Sequence, residues 1–462
     1  MTAAPARTRG SLLRGRWIDD WRPEDEAFWR STGRRVANRN LWFSVFSEHI
    51  GFSIWTLFSV LVLFMGPAYG IDAAGKFVLV SVATFVGAAL RLPYSLAVAV
   101  VGGRNWTLVS AGLLLVPTVL LAVYMEPGTS YTTFVVLSAL VGVGGGNFAS
   151  SMTNINAFFP EHRKGAALGI NAGGGNLGVA VIQLVALLII GTAGTGAPRL
   201  VLAVYIPLIV LSLVGAALFM DNISSVRNDT GALKEASRDA QTWVMSFLYI
   251  GTFGSFIGYS FAFGLVLQNQ FGRTPLQAAS VTFIGPLLGS LIRPVGGWLS
   301  DRIGGVKVTF WNFAAMAAAT AICIGASGID SLALFTVGFV LLFITSGIGN
   351  GSTYKMIPSI FRTKALASAE DRGQDRQEAL LWARRVSGAA IGITAAIGAF
   401  GGLLINLAFR SSFQSAQSGA PAFWAFLGFY AACMAVTFLV YMRHARTATE
   451  PTTGARLSYA EV

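Results

Sequence analysis

The chain has 462 residues, 54% of them hydrophobic and 12% charged, against about 25% charged in soluble domains, which excludes an ordinary soluble fold and points to a membrane protein. Its two cysteines, Cys323 and Cys433, and its three histidines, His49, His162 and His444, show no metal-ligand or redox spacing, and no HExxH or GxSxG is present, so neither an enzyme nor a cofactor or metal protein is expected. The net charge of +12 suggests nucleic acid at first sight, but the basic residues sit beside apolar runs, where positive-inside bias and anionic lipids account for them; no nucleic-acid partner is expected.

In chain order, residues 1–40 carry nine arginines and lack an apolar core ahead of a small-residue cleavage site, so no cleaved signal peptide is expected and the segment should stay in the cytoplasm, lipid-facing or self-packed in preference to meeting a partner such as a reductase. Apolar runs of about 20 residues, each enough for one bilayer crossing, follow at 41–65, 76–101, 106–125, 131–159, 165–192 and 199–219. A polar stretch at 220–240 precedes six more, at 241–267, 276–300, 306–326, 331–361, 385–409 and 422–442. This predicts an all-α membrane protein of twelve transmembrane helices, with an N-terminal six-helix bundle at 41–219, a cytoplasmic linker at 220–240, a C-terminal six-helix bundle at 241–442 and a cytoplasmic tail at 443–462. An even number of spans places both termini on one side. Lys76, Arg199, Arg273 and Arg410 fall on the opposite side, Arg91, Arg293 and Lys355 fall inside spans, and every other basic residue falls on the side of the termini, which the positive-inside rule makes the cytoplasmic face of a bacterial inner membrane.

The sequence is doubled. Arg91 and Arg293, 202 residues apart, each stand eleven residues before a Gly-Gly pair, Gly102-Gly103 and Gly304-Gly305. Gly146-Asn147 with Phe158 repeats as Gly349-Asn350 with Phe361 at an offset of 203, and Trp42 and Trp243 open the first and seventh spans. GAALGINAGGGNLG (165–178) and GAAIGITAAIGAFG (388–401) agree at eight of fourteen positions, the larger offset there reflecting a polar loop after Phe361. Two pseudo-symmetric six-helix bundles are therefore expected, with a substrate site near the bilayer midplane between them.

An arginine at mid-bilayer costs about 2.5 to 3.5 kcal/mol on insertion scales, so a duplicated pair requires compensation. Either the pair meets carboxylates or helix ends, or it binds an anion. Glu48 is the one acid well inside the spans and cannot neutralise both, so Arg91 and Arg293 are read as a substrate clamp whose planar donor forks suit a planar oxyanion.

Over essentially its whole length the chain resembles the nitrate/nitrite porter family of the major facilitator superfamily. The similar segments are DWRPEDEAFW (20–29), RNLW (39–42), ALRLPYS (89–95), GGNFASSMTNINAFFP (145–160), GAALGINAGGGNLG (165–178), LYIGTFGSFIG (248–258), GGWLSDRIGG (296–305) and the second glycine motif at 388–402. The resemblance implies transport of nitrate and nitrite by alternating access, points to the same two arginines, and assigns an aromatic pair at the anion to Phe148 and Tyr249. Phe253, one turn after Tyr249, and Asn176 in the fifth span are further lining candidates, as is Phe52, one turn after Glu48.

The glycines fall in two groups. Gly165, Gly169 and Gly173 form one stripe and Gly174 and Gly178 another, with Gly175 between them, echoed by Gly388, Gly392, Gly398, Gly401 and Gly402; they are read as close helix packing and as smooth faces along which the halves rock. Glu48, His49 and Lys355 depart from the family's exchangers, which are expected to have no protonatable group here. Glu48 and Lys355 are expected to face each other across the cavity, either as a proton-coupling pair or as a static ion pair. Proton-coupled nitrate import is the primary reading, nitrate/nitrite antiport the next, and transport of another small anion the third; by analogy a monomer in the lipid bilayer is expected.

Overall fold

The computed structural model describes residues 16–443 and the backbone of Thr447–Thr449 and Arg456–Ser458; the first fifteen residues, His444 and the rest of the tail lie outside the described residues. Apart from two small two-stranded pairings, the architecture is helical. Span 1 is a bent pair, Arg34–Trp55 and Leu57–Phe64, and the others are Ala73–Val101, Gly103–Tyr124, Tyr131–Phe158, Glu161–Ala193 and Arg199–Phe219 (spans 2 to 6), then Ala240–Phe271, Pro275–Ile303, Gly305–Gly328, Leu332–Arg372, Arg376–Ala416 and Ala420–Met442 (spans 7 to 12). Exposed side chains such as Leu188, Leu211, Leu218 and Leu404 give these helices an apolar outer surface, as a bilayer requires.

Local chemistry explains where the helices start, bend and stop. Asp72 and Ser130 cap spans 2 and 4 by accepting the backbone N–H of Gly75 (2.7 Å) and Thr133 (3.1 Å). Span 8 opens with a reciprocal capping box between Thr274 and Gln277 and with Pro275 at its first position, where a missing N–H costs nothing. The 40° bend of span 1 lies at Thr56, whose hydroxyl donates back to the carbonyls of Phe52 (2.8 Å) and Ser53 (3.2 Å), a competition that bends helices. Gly102 and Gly304 have φ of 96° and 91°, so the two Gly-Gly turns share a backbone state that only glycine adopts without strain. The duplication read from the sequence is thus repeated in the turn geometry.

The region after Phe361 differs from the expected polar loop. Span 10 continues to Arg372 and span 11 begins at Arg376, joined by Gly373 in the left-handed region and by Asp375, which caps the backbone N–H of Glu378 at 3.2 Å. Charge ends an apolar run without ending a helix, and these turns extend beyond the apolar length. Residues 220–240 are also ordered: Asn222–Ile223 pairs in parallel with Trp17–Ile18, and helix Thr230–Arg238 meets span 11 through Glu235, which accepts the indole N–H of Trp382 (2.7 Å) and pairs with Arg385. The described part of the N-terminal segment packs on the first half of the chain. Asp221 takes Arg16 at 3.2 Å and Arg39 at 2.5 Å, while Trp29 is buried with Ile155, Phe158 and Phe159.

The two halves close on each other away from the linker. There Phe77 of span 2 stacks on Phe409 and Phe413 of span 11 (6.0 and 5.6 Å between centroids), and Gln183 of span 5 donates to the Ser260 carbonyl of span 7 at 2.9 Å. Towards the linker they separate around a cavity of about 1650 Å³ whose walls include Lys164, Asp301, Arg362 and Arg384.

Candidate anion site

Arg91 and Arg293 enter the buried centre from opposite halves. The helix of span 2 is interrupted at Leu90 and restarts at Arg91, whose side chain is 1% exposed. One terminal nitrogen, Nη1, donates to the Ala395 carbonyl of span 11 at 3.0 Å, and the guanidinium lies 4.7 Å from the ring centres of both Phe148 and Phe253 and 5.4 Å from that of Trp55. Such cation–π contacts are worth about 0.5 to 2 kcal/mol each, but they leave N–H groups unused. Nε and Nη2 of Arg91 have no protein partner.

Arg293 is 8% exposed and lines the large cavity. Its Nη2 lies 3.5 Å from the Tyr249 hydroxyl, its guanidinium 5.5 Å from the centre of the Tyr354 ring, and Nη1 has no protein partner. Neither arginine forms an ion pair with a carboxylate among the described residues. Two buried cations, in Coulombic range of each other, thus present unused N–H donors to which the oxygens of an anion can bond.

Aromatic rings complete it. Tyr249 and Phe253 stack at 5.3 Å with 7° between planes, Phe253 meets Phe148 at 6.1 Å, and Phe148 meets Phe52 edge-on at 5.9 Å. Phe52, Phe148, Tyr249 and Phe253 are therefore one continuous wall. Span 4 is wound as a 3-10 helix at Gly142–Gly146, just before Phe148, and span 7 as a π-helix at Ile250–Gly254, which contains Phe253; such irregular turns often mark functional positions. The glycines permit it: a Cβ on Gly145 would strike Gly87 and Trp55, and one on Gly254 would lie 2.7 Å from the Cα of Gly401. Asn176 is fully buried with both amide atoms lacking a protein partner.

Glu48 and Lys355 do not face each other. Glu48 is 1% exposed and accepts from the Ser151 hydroxyl and from the Asn171 amide at 2.6 Å; the cations in Coulombic range of it are Arg91 and Arg293. Lys355 pairs with Asp301 at 2.8 Å with about half its side chain exposed (49%), on the wall of the large cavity. Adjacent residues on a helix point about 100° apart, and it is Tyr354 that turns to the arginine. His49 is turned to span 5, where its Nδ1 is 3.0 Å from the Gly174 carbonyl; the carbonyl accepts only, so that nitrogen carries the proton.

Sequence reasoning missed Tyr354, Ser151 and Asn171. The signal lay in the repeat: Phe52 and Phe253, Glu48 and Tyr249, and Ser151 and Tyr354 are separated by 201, 201 and 203 residues. Tyr354 is thus the mate of Ser151, and both flank the mates Glu48 and Tyr249.

The glycines divide into two classes that the sequence did not separate. At Gly174, Gly175 and Gly178 a Cβ would strike Val45, Glu48 and the His49 carbonyl; at Gly398, Gly401 and Gly402 it would strike Tyr249, Gly254 and Ile257. These are sites of close approach. At Gly165, Gly169, Gly173, Gly388 and Gly392 nothing lies within 4 Å, and the first four line the cavity. The stripe Gly165, Gly169 and Gly173 is accordingly a smooth open wall here, with no helix packed on it.

Two matching halves of six spans, enclosing a buried cationic site that is open on one side, define a membrane transporter of the facilitator type. The model of the Major Facilitator Superfamily matches residues 41–404. The chain is 39% identical over 446 residues to the nitrate/nitrite transporter NarU of Salmonella typhimurium, covering 92% of this chain and 96% of that protein. It is 37% identical to NarU of Escherichia coli with the same coverage, and 30% identical to the probable nitrate/nitrite antiporter NarK2 of Thermus thermophilus, covering 93% and 97%. A solved bacterial homolog of the human lysosomal transporter Spinster, in an inward-facing and occupied conformation, shares the fold with a TM-score of 0.61 at 14% identity, over 86% of this chain and 95% of that one. The chain belongs to the nitrate/nitrite porter family of the Major Facilitator Superfamily.

Proposed function

We propose that the chain carries nitrate, and with it nitrite, across a bacterial inner membrane by alternating access, and that nitrate import is coupled to protons through Glu48. The observation that carries the anion assignment is the pair of buried guanidinium groups with unused N–H donors beside a flat aromatic wall. A planar, weakly hydrated anion takes the fork of each arginine in its plane and the rings at its faces. Tetrahedral phosphate and bulkier organic acids fit such a slot less well, which ranks them behind nitrate.

In this reading the basic face, with the linker, is cytoplasmic, so the large cavity opens to the cytoplasm and the chain is inward-facing. The aromatic contacts of span 2 with span 11 then form the closed outer gate. One chain holds both arginines and every wall residue, and a monomer is sufficient for transport.

Coupling follows from charge. Two arginines and an ionised Glu48 leave one net positive charge at the centre; adding one nitrate and one proton leaves the same charge. The loaded and the empty site then carry the same net charge, so one nitrate moving with one proton is electroneutral. Nitrate/nitrite exchange is the second reading. It is favoured by the Asn171 amide, a donor that suits a permanently ionised Glu48, and by the antiporter name of the Thermus relative.

Purified protein in liposomes separates the two. Proton coupling requires uptake of labelled nitrate into liposomes free of internal nitrite, accelerated by a pH gradient acidic on the outside and lost in Glu48→Gln. Uptake indifferent to the gradient, or strictly dependent on internal nitrite, contradicts it.

A further inference from the structure

Span 1 carries a buried polar stripe, Asn40, Ser44, Ser47 and Glu48, at the spacing that puts residues on one helical face. It faces no lipid and not the large cavity. Together with Ser110 of span 3 and Asn147 of span 4, Ser44, Ser47 and Glu48 line a separate cavity of about 10 Å³ inside the first bundle, the space of a single water molecule. Three of its lining residues carry side-chain atoms without a protein partner: Ser44 Oγ, Glu48 Oε1, which lies against Gly175 of span 5, and both amide atoms of Asn147, all on residues at most 3% exposed. Leaving such buried groups unsatisfied is costly, and one water bonded to them removes much of that cost.

The stripe has a direction. At the end nearer the linker, Asn40 bonds Asp221 through both its amide nitrogen (2.9 Å) and its amide oxygen (2.8 Å), and Asp221 meets the half-exposed Arg16. At its inner end Glu48 presents one oxygen, Oε2, to Ser151 and Asn171, while the other, Oε1, is unpartnered. The charged and titratable groups facing Glu48 are Arg91 of span 2, Arg293 of span 8 and Tyr354 of span 10; its neighbour His49 is turned to Gly174.

We propose that this chamber holds the water through which Glu48 exchanges its proton with the linker side of the membrane, by a route inside the first bundle that is separate from the cavity admitting the anion. The Glu48 carboxyl gives its proton to the water as the water passes one of its own to the Ser44 hydroxyl, which hands its own proton on towards the linker side, so no oxidant or further reactant is needed. The inference rests on the proton-coupled reading above. It adds that anion and proton reach the centre by different paths, so one can be blocked without the other.

The test uses Ser44, which touches the chamber and not the anion site. Ser44→Thr and Ser44→Val add nearly the same volume and differ in the hydroxyl alone. Each full-length variant is placed in liposomes and read in two assays, nitrate uptake driven by a pH gradient and nitrate counterflow at equal pH. Ser44→Val is expected to lower gradient-driven uptake by about tenfold, the size expected for one lost buried hydrogen bond, with counterflow kept within about twofold of wild type; Ser44→Thr is expected to retain both. Unchanged gradient-driven uptake in Ser44→Val overturns the inference, as does equal loss in both variants, which makes the effect steric, or joint loss of uptake and counterflow in Ser44→Val, which makes it structural. A wild type without any pH-gradient dependence removes the coupling reading itself, and is distinguished by failing before any variant is compared.

Discussion

Glu48 of span 1 and Tyr249 of span 7 occupy equivalent positions of the two halves, 201 residues apart, and their flanking partners, Ser151 and Tyr354, are equivalent as well. The second half therefore places a phenol beside Arg293 where the first places a carboxylate in Coulombic range of both arginines. In the proposed symport this asymmetry gives the two halves different tasks: both contribute wall residues, the second adds a hydroxyl, and the first carries the group able to change charge.

The aromatic wall is expected to contribute to affinity by degrees. Phe253 touches the Arg91 guanidinium and stacks on Tyr249. Phe253→Leu should weaken nitrate binding by roughly 2- to 30-fold, the equivalent of one cation–π contact of about 0.5 to 2 kcal/mol. Tyr354→Phe keeps the ring over Arg293 and should change affinity by less than Tyr354→Leu. Titration of nitrate against intrinsic fluorescence in detergent checks both; equal affinities in Tyr354→Phe and Tyr354→Leu would remove the ring from the site.

Lys355 should be dispensable for coupling. It pairs with Asp301 at the half-exposed cavity wall, and a pair of that kind contributes only about 0 to 1 kcal/mol. Lys355→Met is expected to retain nitrate affinity and the pH-gradient response of uptake. Loss of the gradient response in this variant, with affinity intact, would return Lys355 to the coupling role first suggested by its place inside a span.

The two glycine classes should respond oppositely to alanine. Gly401→Ala brings a methyl to 2.7 Å from the Cα of Gly254, and overpacking of this kind costs about 1 to 3 kcal/mol; its melting temperature in detergent should fall clearly. Gly169→Ala meets open space and should melt with the wild type, yet slow turnover, because the smooth wall of span 5 must meet the other half when the cavity closes. A Gly169→Ala protein with lowered melting temperature would show that the stripe is packed.

Much of the fold was legible because membrane physics is strict. A bilayer demands about 20 apolar residues per crossing, and a buried arginine is too costly to be incidental, so the spans and the Arg91–Arg293 pair stand out from the chain alone. What escaped depends on helical phase and on exposure. Lys355 attracts notice by its charge, but the helix turns Tyr354 to Arg293 instead. Gly169 and Gly175 belong to one motif, yet the first faces the cavity and the second packs against Glu48; a spacing rule alone does not divide them. The polar run after Phe361 reads as a loop because charge marks the end of the bilayer, while the helix continues into water to Arg372. Asn171 became visible only through its hydrogen bond to Glu48, which no spacing in the sequence announces.

The most direct measurement is nitrate counterflow in liposomes for wild type, Arg91→Lys and Arg293→Lys. Lysine keeps the charge and loses the planar fork, and a charge-assisted hydrogen bond of about 1.5 to 3 kcal/mol corresponds to roughly 10- to 150-fold in affinity. Both variants are expected to lose counterflow by at least tenfold while remaining folded by thermal melting. Near-normal counterflow in both would contradict a clamp in which the two arginines hold one planar anion.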